Sequence, residues 1–305
     1  MKLTGHYFDL NTVAYSSDGG YLATGGDDGK VKIWTTKNCL CFVTFSEHIA
    51  KVTALAFVPK KNNTLVTASI DGTVRAYDLV KYRNFRTMTS VREGGEAGGV
   101  RTKTAQFSCL AIEPSGDIVA AGATEPFDIY LWSLRTGQLL EVLSSHTAPV
   151  SSLSFSGGVT QGWSQDEAGG SLLASASWDQ SVKIWDIFGR QGLLETLDHS
   201  SEVIDCQFHP TNKDELISNT LSGQIFIWDA ETSNVKGFLE CRNDIAGGRL
   251  QDDRNTAKTS TKNKSFNSVA MSPAFGDLLV GGGNSKNICL YDIKHKVMLA
   301  RFVIT

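Results

Sequence analysis

Residues 173–187, LASASWDQSVKIWDI, set two apolar runs on either side of a short polar turn and close the second run with Trp-Asp. Val182 and Ile184 alternate with Lys183 and Trp185, the period of two that belongs to a β-strand. The turn Ser-Trp-Asp-Gln is too short to join anything but adjacent antiparallel strands, so the stretch predicts a hairpin. The pattern returns in TGGDDGKVKIW (24–34), TASIDGTVRAYD (67–78) and SNTLSGQIFIWD (218–229). Two weaker copies end at Trp132 and at Tyr291-Asp292.

The spacing of the copies turns a motif into an architecture. The closing aromatics are Trp34, Tyr77, Trp132, Trp185, Trp228 and Tyr291, with successive gaps of 43, 55, 53, 43 and 63 residues. A base period of 43 with insertions of 12, 10 and 20 accounts for all of them. A period of roughly 40–45 residues, with a His before and Trp-Asp after, is the WD-repeat signature. Each unit is a four-stranded sheet that cannot bury both faces alone, and radial stacking buries them. The expected fold is therefore an all-β WD40 β-propeller with six visible repeats. It is read as one domain over residues 1–305 and as a seven-bladed ring lacking one blade.

Composition narrows the function classes. The chain has 305 residues, 41% apolar and 20% charged, with a net charge of −3. That balance suits a large core and excludes a generic polyanion binder, so any nucleic-acid contact must come from local patches. No apolar run approaches the ~18 residues needed to span a membrane, and MKLTGHYF does not read as a signal peptide. The six scattered cysteines read as reduced, buried thiols of a cytosolic or nuclear protein. Cys39 and Cys41 form the only close pair, and no neighbouring His or Cys pair makes them a metal site.

The polar residues of the repeats raise the question of catalysis. His6, Thr24, Asp28 and Trp34 recur as His146, Ser175, Asp179 and Trp185, and His48, Thr67 and Asp71 repeat the first three. A His, a hydroxyl and a carboxylate suggest a hydrolase triad. The set returns with the repeat, however, whereas catalysis needs one constellation. These residues are therefore read as buried networks that fix loop, hairpin and strand. Repeat three carries Lys103 where the His is expected, repeat five has Ser222 in place of Asp, and repeat six lacks both. Repeats five and six are expected to rely more on packing. No nucleophile elbow, HExxH, P-loop or CxxC pair is present, so no catalytic, metal or cofactor residue is assigned.

Insertions interrupt the period at 91–104, 156–170 and 241–265. The last is expected to be too polar and Gly-rich to pack as core. Two stretches are locally basic. One carries Arg83, Arg86, Arg101 and Lys103; the other carries Arg242, Arg249, Arg254, Lys258, Lys262 and Lys264. They are candidate contacts for RNA phosphates or acidic partner segments, through the backbone rather than by base stacking, because aromatics are few there.

Several stretches are more particular than the repeat. They include GHYFDLNTVAYSSDG (5–19), DGTVRAYDLVKYRNFRT (71–87), QFSCLAIEPSGDIVAAGA (106–123), CRNDIAGGR (241–249) and GGGNSKNICLYDI (281–293). YRNFRT and CRNDIAGGR lie outside any WD consensus. In these stretches the chain closely resembles the second propeller of the periodic tryptophan protein 2 family. The resemblance implies a non-catalytic, nucleolar scaffold of the small-subunit processome. Its partners would be other WD-repeat processome proteins, pre-rRNA and small nucleolar RNA, with no membrane and no small-molecule substrate. The alternative is a generic protein-recognition propeller, a substrate adaptor or signalling subunit.

Overall fold

The structure is a computed structural model. It describes residues 5–59, 61, 63–90, 104–157, 171–189, 192–212, 214–245, 265–272, 276–283 and 287–303. The chain divides into two compact units, residues 1–150 and 151–305.

The first unit contains β1–β4 (Leu10–Tyr15, Tyr21–Gly26, Val31–Thr35, Cys41–Phe45), β5–β8 (Val52–Phe57, Thr64–Ser69, Thr73–Asp78, Arg83–Thr89) and β9–β12 (Gln106–Ile112, Ile118–Glu125, Ile129–Ser133, Leu139–Leu143). The second contains β13–β16 (Val150–Phe155, Leu172–Ser177, Ser181–Asp186, Gly192–Asp198) and β17–β20 (Val203–Phe208, Glu215–Thr220, Gln224–Asp229, Val235–Glu240). It ends with the one-turn helix α1 (Arg242–Ile245) and β21–β24 (Ser268–Met271, Leu278–Gly282, Asn287–Asp292, Val297–Val303). Each group of four is one sheet with its strands in sequence order. Each of the six repeats thus builds its own sheet, and among the described residues no strand is lent to a neighbour.

Burial grades across each sheet. In the first, second, fourth and fifth sheets the second strand is the most enclosed: every residue of Leu172–Ser177 is buried. The fourth strand lies at the rim, and Val297–Val303 is almost wholly exposed. In the first unit, Ala23, Ile33, Val52, Leu65 and Tyr77 fill the space between the first two sheets. Val66, Val74, Phe107, Val119 and Trp132 fill the next. In the second unit, Ala174, Ile184, Val203 and Trp228 form one layer, and Ile217, Ile225, Leu279 and Tyr291 form another. The closing aromatics are thus core residues.

Two turns recur. The loop between second and third strands puts a left-handed residue directly after the Asp position: Gly29, Gly72, Gln180 and Gly223, with φ of 68°, 80°, 66° and 83°. This is the three-residue hairpin in which glycine is the favoured occupant. The turn between third and fourth strands is held by the Asp of Trp-Asp or Tyr-Asp. Asp78 Oδ1 accepts from the amides of Val80 and Lys81 at 2.8 and 3.1 Å, and Asp186 and Asp229 do the same for their own turns. That Asp is therefore a turn cap. These turns also contain a left-handed residue: Cys39, Tyr82, Gly137, Gly192, Ser233 or Lys296.

The first strands are joined through side chains at their bulges. Asn11 donates to the Val52 carbonyl at 3.0 Å and Thr53 to that of Phe107 at 2.8 Å. In the second unit Ser151 donates to the Val203 carbonyl at 2.8 Å. The bulged residue of β17 is Ile204, which cannot donate, and the polarity reverses there. Asp205 accepts from the Val269 amide at 3.0 Å and from the Ser152 hydroxyl at 2.7 Å.

Candidate functional site

The repeated polar residues come together as relays. In the first sheet the Trp34 indole N–H donates to Thr24 Oγ1 at 2.9 Å, and Thr24 lies 2.9 Å from His6 Nε2. His6 Nδ1 lies 3.1 Å from Asp28 Oδ1. A carboxylate can only accept, so His6 carries its proton on Nδ1, and Nε2 is left to accept from the Thr24 hydroxyl. In the second sheet His48 Nδ1 donates to Asp71 at 2.9 Å and Nε2 pairs with Thr67 at 2.8 Å. Asp71 also accepts from the Ile49 amide and the Thr73 hydroxyl. Burial works against its ionisation, but the bonds from His48 and Thr73 hold its carboxyl well below the usual carboxylate range. In the fourth sheet the Trp185 indole donates to Ser175 at 2.8 Å, His146 is buried, and Asp179 caps its hairpin through the Ser181 amide and hydroxyl.

Each hydroxyl in the first two relays is engaged with its histidine, and the same construction recurs from sheet to sheet. Among the described residues no group of three or more His, Cys, Asp or Glu is placed to hold a metal ion. Burial pushes the Cys241 thiol up to about 12 and raises that of Cys289, which makes both poor nucleophiles. All six cysteines are free, and Cys39 and Cys41 depart from the expectation of buried thiols, being half-buried and exposed.

The degenerate repeats do not simply fall back on packing, as expected from sequence. In the fifth sheet Trp228 donates to Ser218 at 3.0 Å and Ser218 lies 2.7 Å from His199 Nε2. With Ser222 in the Asp position, His199 Nδ1 donates to the Leu197 carbonyl at 3.0 Å. A backbone oxygen completes the relay in place of a bonded carboxylate, and the Asp198 charge only partly offsets burial. Burial accordingly drives its pKa down to about 4. In the third sheet the Trp132 indole donates to the Thr89 carbonyl at 3.1 Å; Lys103 lies outside the described residues.

The sixth sheet takes its partner from the third insertion. Tyr291 Oη donates to Asp244 Oδ2 at 3.0 Å, and the Asn287 side-chain amide donates to the Ile245 carbonyl at 2.9 Å. Cys241, Ile245 and Ser265 are buried. The expectation that 241–265 is too polar to pack is thus corrected at both ends of the stretch, where a short helix and Ser265 join the core. The tyrosine itself does not announce this acceptor, since Tyr77 is buried in the same position of the second sheet and its hydroxyl has no hydrogen-bond partner among the described residues.

A protein-family model described as "WD domain, G-beta repeat" matches residues 1–35, 39–78 and 137–186. Proteins named periodic tryptophan protein 2, or its homolog, align along the whole chain. The Dictyostelium discoideum protein is 42% identical over 99% of this chain and 30% of its own length. The Arabidopsis thaliana protein is 43% identical over 100% of the chain and 31% of its own length, and the Saccharomyces cerevisiae protein 43% over 100% and 30%.

Over its whole length this chain is similar to the periodic tryptophan protein 2 proteins. It spans about 30% of the length of these relatives. Alignment to the periodic tryptophan protein 2 relatives runs through 79–136 and 187–305, which the repeat model leaves unmatched. Those are the regions where Trp132, His199 and Tyr291 use substitute partners.

Of the candidate partner contacts, Arg83, Arg86 and Arg242 are described; Arg101, Lys103, Arg249, Arg254, Lys258, Lys262 and Lys264 lie outside the described residues. Arg242 donates through Nε and a terminal nitrogen to the Ser222 carbonyl at 3.0 and 2.8 Å. Arg86 donates in the same way to the Arg135 carbonyl at 3.3 and 2.9 Å. Both guanidinium groups therefore brace turns of their own chain. Arg83 stays exposed beside Asp78.

Proposed function

We propose that this chain is a non-catalytic scaffold segment of the small-subunit processome, holding WD-repeat protein partners around pre-rRNA and small nucleolar RNA in the nucleolus. The observation that carries this reading is similarity, along the whole of this chain, to a segment of periodic tryptophan protein 2 at 42–43% identity, across consensus and non-consensus repeats alike. The closed relays support it further, because they spend the titratable residues on rigidity. The candidate contacts are Arg83, Arg101 and Lys103 together with Arg249, Arg254, Lys258, Lys262 and Lys264, while Arg86 and Arg242 would act from braced positions. Phosphate contact by these residues would make affinity fall with salt. A seven-bladed ring belongs to the same proposal, and a structure of the full-length protein with six blades in direct closure overturns that part.

The experiment replaces the matching segment of the Saccharomyces cerevisiae relative with this chain. Growth, nucleolar fluorescence of the tagged hybrid and normal small-subunit rRNA maturation are the expected result. A hybrid that is stable but diffuse in the cell, with maturation unaffected by its depletion, favours a generic recognition propeller instead.

A further inference from the structure

Tyr82 occupies a left-handed backbone conformation, φ 51°, at the last residue before β8. For a bulky aromatic residue this conformation is rare and strained. The same turn position is glycine at Gly137 and a left-handed non-glycine at Cys39, Ser233 and Lys296. The Tyr82 ring is not part of the core: it is 59% exposed, and among the described residues its ring contact is edge-to-face with Phe42 at 6.1 Å. Phe42 in turn leans on Tyr21 at 5.3 Å. Leu40 and Val80, two residues before Phe42 and Tyr82 in the chain, are 64% and 62% exposed.

The turns that carry this apolar surface are basic. Lys37, Lys81 and Arg83 are all exposed, and none has an ion-pair partner among the described residues. Asp78 feels the charges of Lys81 and Arg83 and accepts the Val80 and Lys81 amides through Oδ1, so one carboxylate faces two exposed cations on this turn. An aromatic and aliphatic surface with this excess of exposed cations matches an extended segment that alternates acidic with apolar side chains. The two aliphatic residues favour such a peptide over nucleic acid, whose bases would stack on Phe42 and Tyr82 and leave Leu40 and Val80 uncovered.

We infer that Tyr82, with Phe42, Leu40 and Val80 and the flanking Lys37, Lys81 and Arg83, forms a docking surface for an acidic, apolar-anchored peptide segment of a partner protein. This surface is independent of the identity of the assembly: a generic propeller could use it equally.

The test uses the full chain and two fluorescein-labelled probes, a peptide of alternating glutamate and leucine with a central phenylalanine, and an oligouridylate. Fluorescence anisotropy should show saturable, salt-weakened binding of the peptide and none of the RNA. Tyr82→Gly should lose peptide affinity at least tenfold while melting no lower than wild type, because glycine relieves the strain. Lys81→Glu with Arg83→Glu should lose it similarly, which keeps the question open to test should Tyr82→Gly unfold. The inference is overturned if wild type does not bind the peptide, if both variants bind as wild type does, or if RNA binds through the same residues.

Discussion

Tyr291 Oη sits 3.0 Å from Asp244 Oδ2, so the last closing aromatic is satisfied by a residue 47 positions earlier, on the helix that opens the third insertion. The insertion thereby does for the sixth sheet what His and Thr do for the first. Asp244→Ala should strand the buried phenol and cost about 1–3 kcal/mol. Tyr291→Phe combined with Asp244→Ala should cost less than the sum of the single changes, since neither partner is then left alone. Urea denaturation of the three variants checks this; strict additivity would show that the pair does not interact.

Asp71 is the most heavily used acceptor of the relays, bonded to His48, Ile49 and Thr73. Asp71→Ala should therefore destabilise by about 1–3 kcal/mol, while Ser222→Ala, at the matching position of the fifth sheet, should cost well under 1 kcal/mol. Thermal melts of the two variants decide the matter, and equal shifts would contradict the relay.

The two relay types should separate in pH. Burial holds His199 at about 4, against 6.5 for the free side chain. Its unfolded form binds the proton more readily, so its contribution is full above about pH 6.5 and falls away as the pH drops toward 4, a span of roughly 3 kcal/mol. Asp71 is depressed, so its contribution persists above about pH 4 and is lost only below that. Stability measured between pH 7 and 4 should decline less steeply in His199→Gln than in wild type, and unchanged slopes would remove His199 as the cause.

Gln180 takes the left-handed hairpin position that Gly29, Gly72 and Gly223 fill elsewhere. Gln180→Gly should be neutral or stabilising by up to about 1 kcal/mol. Gly72→Ala should destabilise, because its Cβ would lie 2.9 Å from Thr104 Cβ and 3.1 Å from the Ala105 carbonyl oxygen. Calorimetric melting of both variants would show opposite signs.

Much of this molecule is legible in one dimension. Alternation, a period of 43 residues and the Asp-Gly turns specify six sheets, because strand pairing across a short hairpin is a local matter. The relay of His6, Thr24, Asp28 and Trp34 was equally readable, since its members keep fixed spacing within one repeat. The sequence could not say where a repeat that lacks those members finds its partners. Leu197 offers His199 a backbone oxygen, which no residue identity announces; Thr89 does the same for Trp132. Asp244 reaches Tyr291 only because α1 folds onto the sixth sheet. Arg86 and Arg242 looked like free charges until packing set each against a carbonyl. Local pattern determined the strands and turns because their hydrogen bonds join near neighbours. Tertiary structure alone decided the substitute partners, because a buried donor takes whichever acceptor the packed neighbours bring within reach.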